Sequence, residues 1–146
     1  MRRIRRPQSK DNVFNRLARN EDGHNFEQFT NIFILAACLG YYHNKSVPFE
    51  KTSEQIHWTA FTDKEQNIMK MIALISSPDA SIVLKENEDK MLDIVENYAS
   101  GGLEILEQEI INGEDKGAHR LDLLIGLLFK PYMPSEKKEV LKEIMG

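Results

Sequence analysis

Apolar positions recur along most of this chain at steps of three and four, the spacing of one face of a helix. Val13, Phe14 and Leu17 mark a short amphipathic helix between Gln8 and Asn20. From Phe26 to His43 the apolar residues fill nearly the whole circumference, which predicts a helix in the middle of a core. There Ala36, Ala37 and Gly40 are small enough to let a neighbouring helix cross closely. Thr62 and Glu65 have the spacing of a capping box, and Ile68, Met71, Ile72 and Ile75 supply the buried stripe of the helix behind it. Ser77 and Pro78 suggest the start of a short helix reaching about Leu84, and Asn87 the cap of a longer one.

That longer segment contains "NYASGGLEILEQEI", with Gly101 and Gly102 adjacent between stretches that read as good helix. Two further helices are expected over 118–130 and after Ser135. Residues 45–61 contain proline and short alternations without a helical period, and so predict a loop with a small extended element. The result is an all-α fold of about six helices around the Phe26–His43 helix. An extended element near residues 47–61 is the one departure, with residues 8–146 forming a single domain.

Composition sharpens this picture mainly through charge. At 146 residues and 41% hydrophobic content the chain fits one ordinary domain. Its net charge of −4 is unevenly spread: residues 1–20 carry +6 and the remaining residues −10. The opening "MRRIRRP" is too charged to pack by itself and predicts a flexible basic arm over residues 1–7. The arm and first helix gather Arg2, Arg3, Arg5, Arg6, Lys10, Arg16 and Arg19. Such a cluster can neutralise DNA phosphates, or dock on an acidic protein surface, including the chain's own body. The single cysteine, Cys38, excludes an intramolecular disulfide and lies in an apolar run, as a small buried hydrophobe would. No apolar run is long enough to span a bilayer and no signal segment is evident, so a cytoplasmic protein is expected.

Candidate chemistry is sparse. His24, His43, His57 and His119 are scattered without metal-ligand spacing. The acids between Glu86 and Asp115 read as a solvated helix face. No phosphate loop, nucleophile elbow or dinucleotide fingerprint is present. The sequence thus predicts no catalytic residues, no metal and no cofactor. At the glycine pair, a helix start that binds an anion is disfavoured because Glu104, Glu107 and Glu109 follow at once. A structural joint is the favoured alternative, with glycine either turning left-handed or admitting a close neighbour.

Two stretches, "NIFILAACLGYYHN" and "IVENYASGGLEILEQEI", resemble the small bacterial proteins associated with the DNA phosphorothioation (Dnd) system. The likeness runs over roughly residues 25–128. It rests on Phe33, Ala36, Ala37, Leu39 and Gly40 in the first stretch, and on Tyr98, Ala99 and Gly101 through Leu106 in the second. Most of these are apolar or glycine, which suits a packing signature. The resemblance implies a cytoplasmic, non-enzymatic accessory factor of DNA modification, restriction or phage defence. It supplies no active-site residues. The expected partners are DNA through the basic arm, or other proteins of such a complex without DNA contact; a homo-oligomer is compatible, a membrane is not.

Overall fold

The computed structural model describes residues 1–18 and 29–108. Four α-helices lie among them: α1 (Asp11–Ala18), α2 (Phe29–Tyr42), α3 (Asp63–Ser76) and α4 (Glu88–Leu106). Short 3-10 turns cover Gln8–Lys10, Trp58–Ala60, Ala80–Val83 and Lys85–Asn87. No strand occurs among the described residues, so this part is all-α as expected. The helices expected over 118–130 and after Ser135 lie outside the described residues.

The α2–α4 pair is the centre of the fold, and glycine is what makes it possible. A Cβ on Gly102 would lie 1.7 Å from the Ala36 carbonyl oxygen, and one on Gly40 would lie 1.9 Å from that of Tyr98. Contacts this short mean that the two backbones touch. Gly40 lies against Tyr98 and Ala36 against Gly102, so the helices run antiparallel. The glycine pair therefore does not join two helices, since α4 passes through it without a break. Of the expected alternatives, close approach is the one the structure adopts. Two glycines cost roughly 2 kcal/mol of helix propensity, and the seam they admit buries Ala99, Leu103 and Leu106 with Phe33, Ala36 and Ala37.

α2 ends in a Schellman motif: Asn44 takes a left-handed φ of 53°, and the amides of Asn44 and Lys45 donate to Tyr41 and Gly40. This turn sets the Lys45 carbonyl on the other glycine, where a Cβ on Gly101 would lie only 1.9 Å away. α2 is less enclosed than its composition suggests. Ile32, Phe33, Ala36, Ala37, Leu39 and Gly40 are buried, whereas Ile34, Leu35 and Cys38 are only half-buried.

α3 starts as expected, but its buried side is Met69, Ile72 and Ala73, whereas Met71 and Ile75 of the expected buried stripe are exposed. The Thr62 hydroxyl accepts from the Glu65 amide, and the Glu65 carboxylate accepts from the Thr62 amide. After it, the helix expected over residues 77–84 is only a 3-10 turn capped by Asp79, whose carboxylate accepts from the Ser81 amide. Asn87 does not cap α4 with its side chain but donates back to the Ser81 carbonyl.

Residues 1–7 are not a free arm. Ile4 is fully buried and exchanges two 2.8 Å hydrogen bonds with Ile56, and Pro7 pairs with Thr52. The expected extended element is the other half of this ribbon. Two residues separate the paired positions on the N-terminal side and three on the other, so the ladder carries a bulge. That bulge leaves the Glu54 carbonyl free to accept from Arg6 Nε at 2.7 Å.

Candidate interaction surface at the N-terminal segment

Pinning Ile4 in the core fixes where the neighbouring side chains go. On α4, Asp89, Asp93 and Glu96 stand at i, i+4 and i+7, a spacing that places three carboxylates on one helix face. Arg2 and Arg5 lie across this face. Glu96, fully buried, accepts from Arg2 Nη1 and Nη2 at 2.8 and 3.0 Å, and from Arg5 Nε and Nη2 at 3.0 and 2.9 Å. The Arg5 backbone amide completes its shell at 2.6 Å. Asp93 Oδ1 accepts from both arginines at 2.7 and 3.0 Å, and Asp89 lies 3.2 Å from Arg2 Nε.

The buried carboxylate is thus enclosed by charged and amide donors, the arrangement that offsets the cost of burying an ion. The hydrogen bond to Glu96 raises the Arg2 pKa above its ordinary value, outweighing desolvation. The chain's amino group adds a longer contact, 3.6 Å from Glu88.

Arg6 points the other way, into the core. Its guanidinium carbon lies 4.8 and 4.7 Å from the ring centroids of Phe14 and Phe29, with Asp11 at 3.8 Å. Burial lowers its pKa, but a guanidinium remains charged and holds its place through the rings and the Glu54 carbonyl. Lys10 reaches Glu107 at 2.8 Å, and Asn12 Nδ2 donates to the same carboxylate at 3.2 Å. The Lys10 hydrogen bond, with a smaller contribution from Asn12, holds the Glu107 carboxyl below its ordinary value.

The seven cations expected to form one nucleic-acid surface are therefore divided. Arg2, Arg5, Arg6 and Lys10 serve the chain's own carboxylates, rings and carbonyls. Arg3 and Arg16 are exposed, and neither is paired with a carboxylate among the described residues. Arg19 lies outside the described residues. Arg2, Arg3 and Arg5 also line an open cleft of about 360 Å³ together with Gln55, Asp89 and Asp93.

Glu96 organises this region, and sequence reading passed over it as part of a solvated face. A signal was present: a +6 segment within a −10 body, and three acids at helical spacing on one element. What could not be read was the depth of Glu96, which depends on the N-terminal segment crossing above it.

Gly101 and Gly102 belong to the α2–α4 seam. The Cys38 thiol is half-buried, and desolvation pushes its pKa up, away from the thiolate that nucleophilic chemistry needs. Among the described residues no group of three or more His, Cys, Asp or Glu side chains is placed to hold a metal ion, and no helix is long and apolar enough to cross a membrane.

Residues 3–143 match the model of a protein family described as DNA sulphur modification system-associated protein 4. The match takes in the basic N-terminal segment and the region beyond residue 128, both outside the resemblance seen in the sequence. No curated protein and no solved structure matches the chain.

Proposed function

This chain belongs to the family of DNA sulphur modification system-associated protein 4, and from that premise we propose that it is a non-enzymatic accessory component that works by docking on another protein of its system. The observation that carries this reading is the capture of Arg2 and Arg5 by the buried Glu96 carboxylate. Cations bonded this way hold the chain's own N-terminus in place. Moving them to a phosphate would strand a buried charge, a loss of about 3–5 kcal/mol. The outward-facing surface that remains belongs mostly to an acidic body, which repels the DNA backbone and suits a protein partner.

Affinity purification of the full chain from cells carrying the complete modification system tests the reading. A stoichiometric protein partner that persists after nuclease treatment is the expected result. A chain that retains only DNA, or nothing, would overturn it. So would a nuclease activity with Mg²⁺ or Mn²⁺ that follows this chain through purification.

A second reading, direct DNA contact, draws on the exposed Arg3 and Arg16. If it holds, duplex binding measured by fluorescence anisotropy falls steeply with salt, and Arg3→Ala with Arg16→Ala reduces the salt slope by about two. If docking is the role, binding is weak and these substitutions leave it unchanged.

A further inference from the structure

Arg3 and Arg5 flank the buried Ile4, and the backbone between them is held on both sides. Ile4 is bonded to Ile56, the Arg3 carbonyl accepts from Arg2 Nη1 at 3.0 Å, and the Arg5 amide donates to Glu96. Both side chains thus leave a fixed stretch of chain, and both line the cleft of about 360 Å³ with Gln55, Asp89 and Asp93. Donors remain unspent there. Arg3 is exposed, and its guanidinium has no partner among the described residues. Arg5 gives Nε and Nη2 to Glu96 and Asp93, which leaves the two N–H groups of Nη1 without an acceptor among the described residues. The Phe49 ring, with its centroid 5.3 Å from the Arg5 guanidinium carbon, steadies that group. Gln55 is exposed, and its side-chain amide is likewise unpartnered among the described residues.

Charge limits what these donors can take. Arg2, Arg3 and Arg5 stand with three carboxylates, Asp89, Asp93 and Glu96, so the cleft and the groups beneath it are neutral overall. A phosphate dianion, or a row of DNA phosphates, needs net positive charge. Here it would also face the side chains of Asp89 and Asp93, exposed by 80% and 53%. A single carboxylate asks for less. Arg3 is the one cation of these six groups without a carboxylate, and a guanidinium fork binds a carboxylate through two parallel hydrogen bonds. We propose that the cleft receives an aspartate or glutamate side chain of the protein on which this chain docks. Arg3 supplies the charge, and Arg5 Nη1 and Gln55 supply further donors. This inference rests on the docking reading and names the contact that docking uses.

Titration of the full chain with the peptide acetyl-Ala-Glu-Ala-amide, followed by NMR, tests this. The signals to watch are the backbone amides of Arg3, Ile4 and Gln55 and the Nε groups of Arg3 and Arg5. These should shift saturably. Arg3→Gln, which removes no contact of the described fold, should weaken binding by at least about fivefold. Arg16→Gln, at another exposed arginine, should leave it unchanged. The matching peptide with lysine in place of glutamate should not bind. Absent shifts, shifts indifferent to Arg3→Gln, or equal binding of the lysine peptide would overturn the proposal. Inorganic phosphate that binds the cleft more tightly than the glutamate peptide would do the same, by assigning the cleft to phosphate. Failure here is distinguishable from failure of the docking reading, because the peptide is titrated into the isolated protein and docking is read by co-purification.

Discussion

Glu96 and Gly102 show how much single positions decide here, in opposite ways. Glu96 is a charge that the fold can bury only because five donors converge on it. Glu96→Ala should destabilise the protein by about 3 kcal/mol, the lower end of the range for breaking a buried ion pair, because Arg2 and Arg5 keep partial access to solvent. Chemical denaturation read by helical ellipticity measures it, and a loss under about 1 kcal/mol would mean that the cluster is incidental. At Gly102, propensity alone says alanine should stabilise α4 by about 1 kcal/mol. The structure predicts the reverse sign. A Cβ 1.7 Å from a backbone oxygen cannot be relieved by a rotamer change, so α2 and α4 must part. A net loss of about 2 kcal/mol or more is expected, and a stabilised Gly102→Ala protein would contradict the backbone contact described.

At the scale of elements, the N-terminal segment makes the sharpest distinction. A flexible arm can be removed at no cost to stability. A segment that buries Ile4, worth about 2 kcal/mol by itself, and neutralises Glu96 cannot. Deleting residues 1–7 should therefore lower the melting temperature markedly, and an unchanged melt would restore the free arm. The Lys10–Glu107 pair fastens α1 and its leading turn to the end of α4 and adds a pH dependence. The folded Glu107 pKa lies below its ordinary value of 4.5. Its contribution is thus complete above that value and lost as pH falls through the folded one. Between those two limits wild type should lose stability faster than Glu107→Gln as acid is added, which paired thermal melts would detect. The elements themselves were legible where local chemistry governs them: the α3 capping box lies where Thr62 and Glu65 put it. The short helix expected after Ser77 was misread because Ser-Pro marks an N-terminus without saying whether enough apolar contact follows to sustain an α-helix.

For the molecule as a whole, the α2–α4 seam is the part held on every side by buried side chains and closed backbone contacts. Amides of α2 and α4 facing that seam should exchange slowest with solvent, at the free energy of global unfolding. Those of the 3-10 turns between Ala80 and Asn87 should exchange through local opening. Hydrogen-exchange mass spectrometry would show whether the order is reversed. Family membership places this scaffold beside DNA sulphur modification, and the resemblance legible in the sequence rests on glycines and apolar residues that suit packing. For that reason the resemblance was readable from "AACLG" and "YASGGLEIL" while the site was not.

The sequence by itself determined the all-α character of the described residues, the close crossing of small residues and the segregation of positive charge, because propensity, periodicity and composition are local properties of a chain. Only the tertiary structure decided what that charge is for. Arg2 and Glu96 are 94 positions apart, and nothing local announces that a carboxylate on one helix face will be roofed by the chain's first residues. The direction taken by the glycine pair was settled in the same way, since a straight helix and a broken one place equal demands on two glycines until a second backbone arrives against them.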